Sequence, residues 1–290
     1  MSGERHIDEI SGTETTGHEW DGIKELNTPL PRWWLWTFYA TIVFALGYVI
    51  VYPAIPLVST ATGGVWGWSS RADLAAELDA SSAAQAERRG KIAAMDIKAI
   101  MADSDLRSFA VAAGASAFRV NCTTCHGSGA QGGPGYPNLN DDSWVWGGTP
   151  EQILQTIAHG VRDATSDQTR LSEMPAFGRD GVLNAAQIGE TAAFVRQLSG
   201  QETDQAKAAN GAQIYAENCA SCHGEKGEGN AELGGPQLND AIWLYGGEES
   251  QIAAQIRLPR HGMMPAWAPR LGETVVKELA VYVHSLGGGQ

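Results

Sequence analysis

The longest apolar stretch of the chain lies near its start. No charged residue occurs from Trp33 to Ser70, and the strongly apolar part, Trp33 to Tyr52, shows no one-sided stripe. A helix of this length, rising ~1.5 Å per residue, reaches about 30 Å, the hydrocarbon thickness of a bilayer. Trp33, Trp34 and Trp36 at one end and Tyr48 and Tyr52 at the other supply the aromatic belts of a spanning helix. Pro29 and Pro31 precede the run, and Pro53 and Pro56 close it. A buried core helix would carry a single apolar face. A cleaved signal peptide would start earlier and be shorter, whereas a net-acidic segment precedes this run. Residues 33–56 are therefore predicted to form a transmembrane helix in the lipid bilayer. Lys24 and Arg32 lie just before it and the next basic residue is Arg71, which puts residues 1–32 in the cytoplasm.

Residues 59–67 read as a flexible exit. Residues 71–107 read as an Ala-rich helix of mixed charge, so 57–107 is expected to be a linker and helical spacer. It would lie on the membrane surface or on a partner subunit, or simply be solvated. Beyond it the chain repeats itself. Gly114 and Phe118 precede Cys122-Thr123-Thr124-Cys125-His126 as Gly211 and Tyr215 precede Cys219-Ala220-Ser221-Cys222-His223. Leu139-Asn140-Asp141 and Trp144 recur as Leu238-Asn239-Asp240 and Trp243, and Met174-Pro175-Ala176-Phe177 recurs as Met264-Pro265-Ala266-Trp267. Each copy closes with an amphipathic helix, through Ile188, Ala192, Val195 and Leu198 or Val276, Leu279, Val283 and Leu286. Asn184 with Gln187 forms a capping box for the first, and Gly200 ends it. The glycines ahead of the pentads let each entering helix cross a closing helix at short range, with Phe194 or Tyr282 on the far side. Two copies of one all-α domain are predicted, at 108–200 and 205–287.

Charge removes one class of function. The 290-residue chain carries 33 acidic and 20 basic residues, a net charge of −13, which argues against a nucleic-acid partner. A mildly acidic surface favours a basic protein partner, or only keeps the protein soluble.

All four cysteines lie in the two pentads. Cys-x-x-Cys-His is the attachment signal of c-type haem. The thiols of Cys122 and Cys125, or Cys219 and Cys222, reach two carbons on one haem edge, and His126 or His223 ligates the iron. A zinc site would need a second pair of good ligands in each copy, and a redox dithiol would sit beside a βαβ pattern; neither is present. The sixth ligand is expected within the same copy: Met174 for the first haem, Met264 for the second. A thioether suits haem iron and raises its potential. Met263 competes with Met264, but the repeat puts the proline directly after Met264. His159 and His261 also precede the methionines and are alternative ligands, or else surface residues. Gly132-Gly133 and Gly234-Gly235 fit loops lying flat against a haem edge. Trp144 and Trp243 pack near the haem or serve as core aromatics.

Each repeat resembles a class I cytochrome c domain. Asp21-Gly22-Ile23-Lys24-Glu25-Leu26-Asn27, then Pro29-Leu30-Pro31-Arg32-Trp33-Trp34 and Tyr52-Pro53, resemble the CcoP/FixP subunit of cbb3-type cytochrome c oxidases, in its single-span form. The resemblance covers nearly the whole chain, and residues 59–107 least. It implies two covalent haems c per chain, held by Cys122, Cys125, His126, Met174, Cys219, Cys222, His223 and Met264. It also implies a bacterial inner-membrane protein with periplasmic haem domains. Electrons would arrive from a donor cytochrome c and leave to a mono-haem subunit. From there they would reach a haem–copper catalytic subunit that reduces oxygen and pumps protons. The haem domains alone fit equally a subunit of a bc1-type reductase or of a periplasmic dehydrogenase. A di-haem peroxidase would need one open iron, and both repeats keep a Met-Pro.

Overall fold

The computed structural model of the chain describes residues 6–288 and divides into two units, Met1–Ala84 and Gln85–Gln290. In the first, β1 (Thr15–Trp20) and β2 (Ile23–Leu26) pair antiparallel, Trp20 opposite Ile23. Their turn is Asp21-Gly22, with φ of 49° and 84°. Two successive left-handed residues make the turn whose twist matches a hairpin, and Asp-Gly is a preferred pair for it. This hairpin is the departure from a purely helical reading; its strands are too short for alternation to reveal.

Helix α1 (Arg32–Val51) is continuous and none of its residues is buried. Among the described residues it is the one helix long and apolar enough to cross a membrane. It stops sooner than the predicted 33–56, at Tyr52, because Pro53 cannot continue the ladder. The exit is not the expected loose segment. Val65 and Trp66 N–H groups donate to the carbonyls of Ile50 and Val51 at 3.0 and 3.3 Å, and Trp66 and Trp68 stand edge-on to Tyr52. Gly64, at φ 64°, permits this, since a Cβ there would run into the Val51 carbonyl.

Helix α2 (Ser70–Ala94) is exposed over Ser70–Ala84, but its C-terminal part belongs to the second unit. Ile92, with Ile97 and Ile100 of α3 (Ile97–Ala102), is buried in the main core. The Lys277 ammonium donates to the carbonyls of Ile92, Ala93 and Met95 at 3.2, 2.9 and 2.7 Å, satisfying the end of α2. Residues 85–103 are thus built into the second unit and are not a free spacer.

Each repeat then contributes an entering helix, a middle helix and a closing helix. In the first these are α4 (Ser104–Asn121), α6 (Pro150–His159) and α7 (Ala185–Leu198), with α5 (Thr123–His126) holding the pentad. In the second they are α8 (Gln205–Asn218), α10 (Glu249–Arg257) and α12 (Glu273–His284), with the pentad in α9 (Ala220–His223) and a short α11 (Ala268–Leu271) before α12. Local caps account for the starts. Asp103 and Asp204 accept from first-turn N–H groups, and the predicted Asn184–Gln187 box closes with bonds of 2.9–3.1 Å.

The repeats do not fold each on itself. Closing helix α12 of the second repeat packs on α4 and α6 of the first, and α7 of the first packs on α8 and α10 of the second. One core joins Phe118, Ile153 and Ile157 to Val276, Leu279 and Val283. The other joins Phe177, Ile188 and Val195 to Tyr215, Ile252 and Ile256. The predicted glycine crossings are present with exchanged partners. A Cβ on Gly114 would strike the Glu278 carbonyl, and one on Gly211 the Glu190 carbonyl. Phe118 meets Tyr282 at 5.4 Å, and Tyr215 meets Phe194 at 5.1 Å.

Candidate functional site

The two pentads have nearly the same geometry. Cys122 caps α4 and Cys219 caps α8, their N–H groups donating to Phe118 and Tyr215 carbonyls at 2.9 and 2.8 Å. The chain then turns once more, with His126 and His223 N–H groups donating to the Cys122 and Cys219 carbonyls at 2.9 and 3.0 Å. That turn sets both cysteines and the histidine along one short segment. Gly127 and Gly224, at φ 81° and 82°, end it. Cys125 and Cys222 are exposed. Burial pushes the Cys122 and Cys219 thiols up to about 11.

Each histidine is oriented from behind. Nδ1 of His126 lies 3.1 Å from the Pro137 carbonyl, and Nδ1 of His223 lies 2.9 Å from that of Pro236. A carbonyl only accepts, so Nδ1 carries the proton and Nε2 keeps the lone pair that a metal needs. Burial lowers both histidines' pKa, against a smaller opposing effect of those carbonyls, which favours the neutral ligand form. The prolines follow the glycine loops, and Gly235 lies so close to the Cys222 carbonyl that no Cβ fits.

The methionines lie across the repeats. Met174 lines a cavity with Cys219, Cys222 and His223 of the second pentad. Met264 packs, with Cys122, on the core that holds Phe118 and Ile153. The expectation puts each methionine in its own copy's site; in the fold Met174 lies beside the second pentad and Met264 on the core that also packs Cys122. Between the neighbours, Met263 is 66% exposed and Met264 half-buried. His159 Nδ1 meets the Ser166 hydroxyl at 3.2 Å, while His261, an exposed residue, lines the same cavity as Met174. Trp243 lines that cavity, whereas the Trp144 indole N–H donates to the Gly288 carbonyl.

Arg162 and Asp163 are absent from the sequence reading. Arg162, at φ 54°, donates to the Ser172 carbonyl at 2.8 Å and the Gly262 carbonyl at 2.7 Å, tying together the loops that carry Met174 and Met264. The Asp163 carboxylate accepts from the Ala266 N–H at 2.6 Å, and this bond, with those from Thr165, holds its pKa below the ordinary carboxylate value. The available signal was length, since the stretch from α6 to Met174 exceeds that from α10 to Met264.

Comparison with known proteins fixes the lineage. Residues 12–59 match the N-terminal domain of cytochrome oxidase-cbb3, FixP, and residues 109–195 and 206–283 each match cytochrome c oxidase, cbb3-type, subunit III. The chain belongs to the FixP/CcoP family. It is 57% identical to the cbb3-type cytochrome c oxidase subunit FixP of Sinorhizobium medicae, over 99% of this chain and 98% of that one. It is 52% identical to the subunit CcoP of Cereibacter sphaeroides, over 95% of each. With FixP of Bradyrhizobium diazoefficiens the identity is 50% over the full length of both. Like its FixP/CcoP relatives it is a membrane-anchored electron-transfer subunit with haem c, not a catalyst in itself. The donor set fits that cofactor: paired thiols on one turn, a neutral imidazole with Nε2 as ligand, and a thioether in the same largely apolar cavity.

Proposed function

We propose that this FixP/CcoP chain holds two covalent haems c and relays electrons into a cbb3-type oxidase. Donation would come from a soluble or tethered cytochrome c. Acceptance would fall to the mono-haem subunit and, beyond it, the haem–copper subunit that reduces oxygen. The observation that carries this reading is the duplicated site, Cys122, Cys125 and His126 matched by Cys219, Cys222 and His223, for which Met174 and Met264 would be the remaining ligands. Bound haem c supplies a one-electron iron couple. The chain's residues do the rest. The cysteines would hold the ring covalently, each histidine would offer Nε2 to the iron, and Met174 and Met264 would offer thioethers, which favour the reduced state. The N-terminus would lie in the cytoplasm and Gln85–Gln290 in the periplasm of a bacterial inner membrane, where such haem attachment takes place.

Mass spectrometry of peptides from the purified chain tests this reading. One haem should be found on the Cys122–Cys125 peptide and one on the Cys219–Cys222 peptide. A periplasm-only reporter should be active when fused after Gln290 and silent before Met1. Unmodified cysteines in a chain purified from haem-competent cells, or the reverse reporter pattern, would contradict it.

A further inference from the structure

We propose that residues 53–68 form a strap lying in the boundary between lipid headgroups and acyl chains at the C-terminal end of α1, a second membrane contact beside the span itself. Hydrogen bonds set its depth. The Val65 and Trp66 N–H groups donate to the Ile50 and Val51 carbonyls, which belong to the last turn of α1. The chain therefore returns alongside the span instead of leaving it. Whatever surrounds that turn also surrounds Val65 and Trp66, and α1, with no buried residue, is the membrane anchor. Val65 is 76% and Trp66 68% exposed, and Val58 is fully so.

Composition and backbone both suit that depth. From Pro53 to Trp68 no residue is charged, and the polar side-chain groups are three hydroxyls and two indole N–H groups. A turn facing water ordinarily draws on Asn and Asp; this one carries Ile55, Leu57 and Val58 instead. Backbone groups are satisfied within the strap, which lowers the cost of leaving water. Leu57 N–H donates to the Thr60 carbonyl at 2.7 Å and Thr62 N–H to the Ile55 carbonyl at 3.0 Å. Thr62 Oγ1 accepts from the Ala54 and Ile55 N–H groups at 3.3 and 3.1 Å. Trp68 marks the polar side. Its ring stands edge-on to Tyr52, and its indole N–H donates at 2.5 Å to the Asp73 carboxylate, in the charged stretch that resumes at Arg71. An amphipathic ring between apolar and charged neighbours is what the headgroup level selects. Contacts between proteins are rimmed by polar groups and enriched in arginine. The strap offers neither, so its partner is lipid, held by apolar burial and not by headgroup charge.

The test uses the full-length, haem-loaded chain in phosphatidylcholine vesicles doped with a photoactivatable phosphatidylcholine whose reactive group lies near the glycerol. After illumination, mass spectrometry should find lipid adducts on peptides covering 53–68, several-fold more than on peptides covering 71–84. Exchanging part of the lipid for phosphatidylglycerol should leave that yield unchanged. The same adducts should form when the doped lipid is fused into membranes holding the assembled oxidase. Adducts confined to α1 would overturn the proposal by leaving the strap in water. Adducts on the isolated chain that are lost in the oxidase would overturn it in favour of a neighbouring subunit, and a yield that rises with phosphatidylglycerol would contradict apolar burial as the cause. A second measurement reads the water side. In vesicles, Val65→Cys should react several-fold more slowly with a charged, impermeant maleimide than Ala76→Cys on the exposed part of α2, and the two rates should converge in denaturant. Equal rates in vesicles would refute the strap.

Discussion

Glu278 sits on α12 at 1% exposure, 3.4 Å from the half-exposed Arg89 guanidinium. Its carboxyl is pushed above the usual value, chiefly by burial, with Arg89 opposing. The folded state therefore holds its proton more tightly than the unfolded state, and stability is lost as pH rises through the interval between the two values. Glu278→Gln should flatten stability against pH above the ordinary glutamate value of 4.5 and raise the melting temperature at neutral pH, with little change in acid. A lower neutral-pH melting temperature in the variant would show instead that the Arg89 pair outweighs the burial cost. The pentad residues were legible because their chemistry requires a fixed local spacing. Met264 was separable from Met263 because Met-Pro recurs; in the fold Met264 is half-buried and Met263 exposed. Arg162 and Asp163 were not legible, since their work is to bind loops about a hundred residues away and no local pattern encodes such partners.

Among elements, α1 and α7 were read from composition and caps, because a bilayer span and a capping box are both local signals. The β1–β2 hairpin showed only its Asp21-Gly22 turn. The C-terminal part of α2 reads as a spacer on the membrane, on a partner subunit or in solvent because mixed charge masks Ile92, which with Ile97 and Ile100 enters a core completed by α12. The Lys277 ammonium makes that docking specific. Hydrogen bonds to a charged group contribute about 1.5–3 kcal/mol, so Lys277→Met should lower stability toward denaturant by roughly that amount. It should also speed amide hydrogen exchange over 92–100 before it affects either pentad. Unchanged exchange there would mean that apolar packing alone holds α2 in place.

For the molecule as a whole, the sequence repeat and the spatial unit differ. The repeat is read from motif order, which says how many copies exist but not which halves pack together. Matched but not identical surfaces are joined by only residues 199–204, which make neighbours of α7 and α8. If thioethers fill both sixth positions and haem edges engage all four cysteines, as proposed, the chain is left with electron transfer as its chemistry. Rapid mixing of the purified, fully reduced chain, with oxygen in one syringe and oxidised soluble cytochrome c in another, tests this most directly. Fast oxidation of both haems by the cytochrome and slow oxidation by oxygen is the predicted result. Oxygen consumption by the isolated chain at enzymatic rates would contradict it.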